Sequence, residues 1–162
     1  MKKTLFAVVV ALFSINAMAQ HEIGAVVGGM NGVSYKYWFN DALALQADLA
    51  VGLTEAAEKV SYGLYDFTIN PNVEYHWDLV DALKIYAGGG INFGLCSALK
   101  NTSSDYVNGK FGINAIAGLQ YDFNSVPLAL AFDFRPGYGM SFRSDASHFF
   151  DWKLAFAVRY KL

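Results

Sequence analysis

The residues that could support acid–base, nucleophilic or metal chemistry are few and widely separated. The histidines are His21, His76 and His148. His148 follows Ser147 and lies near Asp145, which are the residue types of a base-activated hydroxyl nucleophile. Neighbouring residues of a strand point to opposite sides, however, so we expect His148 in a solvated loop, His21 solvated and His76 hydrogen-bonded in the interior. Three separated histidines do not form a zinc-type site, and we predict no catalytic, cofactor-binding or metal-binding residues.

The single cysteine and the glycine-rich segment also have structural interpretations. Cys96 is the only cysteine, so it has no partner for an internal disulfide, and we expect a structural role for it. The segment "GGGINFG" (88–94) is not followed by a helix whose N-terminus could hold a phosphate. We interpret Gly88, Gly90 and Gly94 as making room in a narrow interior for large groups such as Tyr86.

The elements that must position these residues are strands, because apolar and polar residues alternate with a period of two along most of the chain. Pro71 and Pro136 cannot donate to a β-ladder, and they predict a bulge or a locally irregular strand. The alternation predicts eight strands over 23–29, 33–39, 43–53, 65–77, 85–95, 111–123, 128–142 and 152–162.

The connections between these strands are alternately short and long. "FNDA", "WDLVDAL" and "FNSVP" are short, whereas "TEAAEKVS", "CSALKNTSSDYVNG" and "RSDASHFF" are longer and mostly polar; only "MNG" is short on the long side. An even number of antiparallel strands with this arrangement is typical of a transmembrane β-barrel. The predicted fold class is therefore all-β, an eight-stranded antiparallel up-and-down transmembrane β-barrel.

The size of the side chains on each face indicates which face meets lipid. An eight-stranded barrel is just wide enough inside for its own side chains, and the apolar face is too bulky to fit there. We therefore predict that Phe67, Phe93, Phe132 and Phe156 point outward and that no pore is open. The predicted lumen holds seven acidic and seven basic residues: Glu22, Asp48, Asp66, Glu74, Asp122, Asp133 and Asp151 with Lys36, Lys110, Arg135, Arg143, Lys153, Arg159 and Lys161.

Aromatic residues of the apolar face cluster beside the short connections. Tyr and Trp prefer the level at which lipid headgroups meet water, so this girdle predicts the periplasmic interface of a membrane. Its members are Tyr37, Phe39, Tyr75, Trp77, Tyr121, Phe123 and Tyr160.

The N-terminal segment and the overall charge indicate the compartment. "MKKTLFAVVVALFSINAMAQ" has two lysines, an apolar run and a small-x-small site, which is the layout of a secretory signal peptide. We predict a signal peptide over residues 1–19 and a β-barrel domain over residues 20–162. The formal net charge is −2, so no nucleic-acid partner is expected.

The mature chain resembles the small eight-stranded outer-membrane β-barrels of the OmpA/OmpX type. The most specific part is the C-terminal series Leu154, Phe156, Val158, Tyr160 and Leu162, although Leu162 stands where the family has an aromatic residue. The resemblance implies an outer-membrane location, contact with lipid, insertion by the barrel-assembly machinery, a monomer, and a structural or surface-interaction role in the envelope without enzymatic activity. Two alternatives stay open: a secreted or periplasmic β-barrel that binds a small apolar ligand, and a lipid-modifying enzyme such as the deacylase and palmitoyltransferase of the wider class.

Overall fold

The protein is a closed antiparallel barrel of eight strands in sequential order. The computed structural model describes residues 21–53, 64–98, 106–142 and 147–162. No helix within these ranges is long and apolar enough to cross a membrane. The strands are β1 His21–Gly28, β2 Asn31–Trp38, β3 Leu43–Leu53, β4 Leu64–Val80, β5 Leu83–Ala98, β6 Tyr106–Asp122, β7 Leu128–Ser141 and β8 Ser147–Lys161. The predicted fold class is confirmed.

Pairing between the first and last strands closes the barrel. The register of β1 and β8 runs from Glu22↔Lys161 to Gly28↔Ala155. The backbone N–H of Leu162 then donates to the carbonyl oxygen of His21 over 2.7 Å. The C-terminal series is thus a full strand, and the barrel has its two described chain ends at the same rim as the short turns.

Several strands extend further than side-chain alternation predicted. β4 continues to Val80 and β5 begins at Leu83, so most of the predicted connection "WDLVDAL" is strand. The remaining turn contains Ala82, whose φ of 73° lies in the left-handed region. At the other rim β5 and β6 remain paired as far as Ala98↔Tyr106. Ladder hydrogen bonds join backbone groups, so pairing continues after the alternation of side chains has ended.

The two strand prolines interrupt pairing without producing the predicted bulge. Pro71 pairs with Ala47 of β3, and Pro136 pairs with Trp152 of β8. Neither proline pairs with the strand on its other side, although the register there is the same before and after the interruption. The predicted irregularity therefore takes the form of an interruption in pairing and not of a bulge. The only register shift that β4 shows against β5 in the described residues lies between Asp78 and Val80.

The outward direction of the bulky face is confirmed. Phe67, Phe93, Phe132 and Phe156 are each 40% to 50% exposed on the outer surface. The described interior is lined mainly by polar and small apolar side chains, with a few larger groups such as Trp38 and Tyr86 among them. The calyx alternative requires these four phenylalanines to converge on an interior core, and they do not.

Candidate functional site

The polar lumen is the candidate functional site, and the alternation of each strand places its charges there. The prediction is confirmed for every charged residue whose side chain is described. Glu22, Asp48, Glu74, Asp133, Lys36, Lys110, Arg135 and Arg159 are buried, and Asp122, Asp151, Lys153 and Lys161 are partly buried. The side chain of Asp66 and the whole of Arg143 lie outside the described residues.

Lys36 of β2 is fully buried in the lumen near the short-turn rim. Its ammonium lies 2.7 Å from Glu74 Oε2 on β4 and donates to Gln120 Oε1 on β6 over 2.9 Å. The same ammonium lies 4.8 Å from the centre of the Tyr86 ring. Because a buried charge is tolerated only when it is paired and hydrogen-bonded, these contacts make the lysine compatible with full burial.

An aromatic cluster lies beside this ion pair. His76 Nε2 is 3.1 Å from Glu74 Oε2, which confirms the predicted interior, hydrogen-bonded histidine. The His76 ring packs 4.4 Å from the Trp38 ring and stacks 4.6 Å from the Tyr86 ring. Trp38 Nε1–H donates to Glu22 Oε1 over 2.8 Å, so the indole belongs to the polar interior.

Trp38 and Lys84 are lumen residues that the sequence analysis missed. Trp38 lies two residues after the buried Lys36 in β2, and Lys84 lies two residues before the buried Tyr86 in β5, so the members of each pair point to the same side of the strand. The alternation along each strand could therefore have located both. Lys84 Nζ lies 4.7 Å from the Trp38 ring centre and 3.7 Å from Asp122.

A second buried ionic cluster, here called the Arg135 cluster, consists of Arg135 on β7, Asp133 on β7 and Asp48 on β3. Arg135 Nη1 lies 2.5 Å from Asp48 Oδ2, and Nη2 pairs with Asp133. Nη1 is also 3.4 Å from the sulfur of Met30, which turns inward from the β1–β2 connection. These contacts cross the lumen from β7 to β3, two strands that are not neighbours.

Arg159 of β8 extends the same network across the barrel. Its Nε–H donates to Ser34 Oγ over 2.9 Å, and its Nη2 donates to Gln46 Oε1 over 2.6 Å. Gln46 in turn donates from Nε2 to Asp48 Oδ2 over 2.9 Å. The network therefore links β8, β2 and β3 to the Arg135 cluster.

Glycines on neighbouring strands make room for these side chains. A Cβ at Gly90 would lie 2.4 Å from Asn72 Oδ1, and one at Gly118 would lie 2.7 Å from the Tyr86 ring. The interpretation of Gly90 as an adaptation to a crowded lumen is confirmed. The space for Tyr86 comes from Gly118 of β6, a residue that we did not single out.

The predicted chemical candidates do not come together in a reactive arrangement. His148 lies in β8 and not in a loop, because β8 begins at Ser147; its ring stacks 5.8 Å from that of Tyr138 on the outer face. His21 is partly exposed, and its Nδ1 lies 2.7 Å from the Tyr35 hydroxyl oxygen. Cys96 lies in β5, and its side chain, like that of Ser147, is outside the described part.

The remaining candidate, Asp145, also lies outside the described residues. Among the residues whose placement is described, no group of three His, Cys, Asp or Glu side chains could hold a metal ion.

The aromatic girdle forms ring pairs beside the short turns. Tyr37 packs 4.9 Å from Phe39, and Tyr121 packs 5.0 Å from Phe123, both edge to face. The Tyr75 and Trp77 rings are 4.9 Å apart. Each pair joins residues i and i+2, as expected for side chains on one face of a strand.

No protein-family model matches the chain, and a search of curated proteins finds no match. Solved structures do match. The N-terminal β-barrel domain of Pseudomonas aeruginosa OprF has a TM-score of 0.63 at 17% identity, over 89% of this chain and 96% of that chain. Neisserial surface protein A has a TM-score of 0.63 at 17% identity, over 89% and 94%. Escherichia coli outer membrane protein W has a TM-score of 0.50 at 16% identity, over 91% and 100%.

These similarities define the class of fold to which the chain corresponds. The protein has the fold of the small eight-stranded outer-membrane β-barrels, with an apolar exterior and a charged interior. It is similar to the N-terminal β-barrel domain of OprF and to Neisserial surface protein A in the path of its strands.

Proposed function

We propose that the protein is an integral outer-membrane β-barrel with a closed lumen and a structural or surface-interaction role in the envelope. The proposal rests on the difference between the outer and inner faces of the barrel wall. Aromatic and aliphatic side chains cover the outer face, whereas the buried charges form ion pairs across the lumen. Lipid can solvate the apolar outer face but not the charged lumen, because a charge placed in hydrocarbon has a high free-energy cost.

Cell fractionation and gel mobility test the membrane location. We expect the protein in the outer-membrane fraction, soluble only in detergent, with a mobility in sodium dodecyl sulfate gels that changes on boiling. Cleavage after residue 19 is expected to be visible as the N-terminus of the mature protein. A protein that is freely soluble in buffer and whose mobility is the same before and after boiling would contradict the location.

The closed lumen is supported by ionic contacts between strands that are not neighbours. Lys36 of β2 contacts Glu74 of β4, and Arg135 of β7 contacts Asp48 of β3. The Arg135–Asp48 contact joins strands on opposite sides of the barrel, and Lys36 also donates to Gln120 of β6, the strand opposite β2. These side chains support a lumen without a continuous water path. Reconstitution in a planar lipid bilayer is the test: we expect no stepwise conductance at neutral pH, and stable ion channels would refute a closed lumen.

A role in surface interaction rather than catalysis fits the chemistry of the described residues. Among the side chains that the structure describes, no hydrogen bond joins a serine or threonine hydroxyl to a histidine. The long polar connections of the sequence, which include residues 54–63, 99–105 and 143–146, are the segments proposed for recognition. Replacing each connection by a short Gly-Ser turn tests this role. We expect the barrel to fold while adhesion of the cells to surfaces falls.

The enzyme alternative has a separate test. Mass spectrometry of lipid A from cells that overproduce the protein is expected to show an unchanged acyl pattern. A gain or loss of an acyl chain would establish a lipid-modifying activity instead.

The C-terminal strand is the proposed signal for the barrel-assembly machinery. Tyr160 and Leu162 are exposed on the outer face of β8, where a recognition protein could read them before the barrel closes. Tyr160→Ser is expected to reduce insertion in cells but to leave refolding of the purified chain into detergent intact.

The protein is proposed to be a monomer. Light scattering of the purified protein is expected to give the mass of a monomer.

A further inference from the structure

A small polar cavity lies in the lumen above the Arg135 cluster, on the side away from the short turns. Its volume is about 20 Å³, and its lining includes Arg135, Asn114, Asp151, Lys153 and Met30. A cavity needs roughly 10–15 Å³ to hold one water molecule. The space therefore admits one or two waters and excludes a lipid headgroup or a sugar.

Two buried polar atoms of this lining have no protein partner. The terminal nitrogens of Arg135 are committed to Asp48, Asp133 and the Met30 sulfur, while its Nε–H has no acceptor. Asn114 donates from Nδ2 to Asn72 Oδ1 over 2.5 Å, while its own Oδ1 has no donor.

A donor and an acceptor buried in this way are costly unless each is hydrogen-bonded. Arg135 is only 4% exposed, so bulk solvent does not reach it freely. One molecule that both accepts and donates hydrogen bonds can satisfy the two atoms together.

The charges around the cavity select a neutral ligand. Arg135 is already shared by two carboxylates, and Lys153 Nζ lies 2.6 Å from Asp151 Oδ2. The cavity thus has no surplus of either sign to attract a free anion or cation. Water is therefore the ligand that fits both the volume of the cavity and the balanced charges around it.

We infer that this cavity is a hydration site, in which one or two ordered waters accept a hydrogen bond from Arg135 Nε and donate one to Asn114 Oδ1. The waters supply the missing hydrogen-bond acceptor of Arg135 Nε and add a fixed polar layer to the closed lumen. The inference rests on the closed lumen of the proposed function, since in an open pore these groups would meet bulk water.

A crystal structure of the detergent-solubilised protein at a resolution that shows ordered water tests the site directly. We expect density within hydrogen-bond distance of Arg135 Nε, linked to Asn114 Oδ1 directly or through a second water. A site without density, or one in which these two atoms have turned to protein partners, would overturn the inference. Channel conductance would instead contradict the closed lumen, so the two failures are distinguishable.

Substitution gives an independent measurement with a matched control. Asn114→Leu fills the cavity with an apolar group and leaves Arg135 Nε without its water, so the urea midpoint of unfolding is expected to fall. Ala115→Leu adds the same side chain to the neighbouring, outward-facing position of β6 and is expected to leave the midpoint unchanged. An unchanged midpoint for Asn114→Leu would overturn the hydration site; if that variant does not fold, the density in the unsubstituted protein decides.

Discussion

Replacing Lys36 by methionine is the sharpest test of the buried charge network. The lysine ammonium is fully buried and contacts Glu74 at 2.7 Å, Gln120 at 2.9 Å and the Tyr86 ring at 4.8 Å. After Lys36→Met, Glu74 keeps only His76, at 3.1 Å, as a polar side-chain partner. Breaking one side of a buried pair leaves an uncompensated charge and costs about 3–5 kcal/mol. We expect a loss of that size in the free energy of unfolding.

The second half of the experiment removes the other partner. Replacing a whole buried pair by apolar groups is often close to neutral, so Lys36→Met with Glu74→Leu is expected to regain at least about 2 kcal/mol relative to Lys36→Met alone. Val33→Met is the control, because it puts the same side chain on the outward face of the same strand. Urea unfolding in lipid vesicles, followed by tryptophan fluorescence, measures all four proteins. If Lys36→Met unfolds at the urea concentration of the unsubstituted protein, the reasoning is refuted.

Three further substitutions, the last with a matched control, test other parts of the barrel. Phe132→Arg puts a charge on the lipid-facing surface and is expected to cost about 2–4 kcal/mol in the same unfolding assay; full stability would mean that this face does not meet lipid. Trp38→Phe removes the hydrogen bond to Glu22 and is expected to cost about 1–3 kcal/mol, whereas no loss would show that the carboxylate finds another donor. Gly88→Ala is expected to reduce the heat-modifiable folded fraction, because its Cβ would lie 2.0 Å from a neighbouring strand's carbonyl oxygen. Gly89→Ala, whose Cβ meets nothing closer than 3.3 Å, is expected to fold normally, and equal folding of the two variants would contradict the packing argument.

The strands and the division of faces were predictable because both follow from a period of two in the sequence. That period assigns Phe132 outward and its neighbour Asp133 inward, as the structure confirms. The same rule could have placed Trp38 and Lys84 in the lumen. The hydrogen bond from Trp38 to Glu22 depends on a contact between neighbouring strands, which the period of two alone does not give.

Other features could not be predicted from local pattern. The lengths of β4, β5 and β6 depend on backbone pairing, which continues past the alternation at Val80 and Ala98. The choice of partners in the lumen depends on the register of all eight strands together, so the sequence indicated that charges would pair but not that Arg135 would reach Asp48. Met30 enters the lumen from a connection, where no periodicity applies.

Quenching of tryptophan fluorescence by brominated lipid tests the central claim, that the apolar face meets lipid and the polar face is enclosed. Trp77 and Trp152 are 49% and 64% exposed on the outer surface, whereas Trp38 is 6% exposed in the lumen. Three proteins that each retain one tryptophan, with phenylalanine at the other two positions, would be reconstituted in vesicles whose acyl chains carry bromine near the headgroup. We predict strong quenching of Trp77 and Trp152 and much weaker quenching of Trp38. Equal quenching of all three, or stronger quenching of Trp38, would contradict the account.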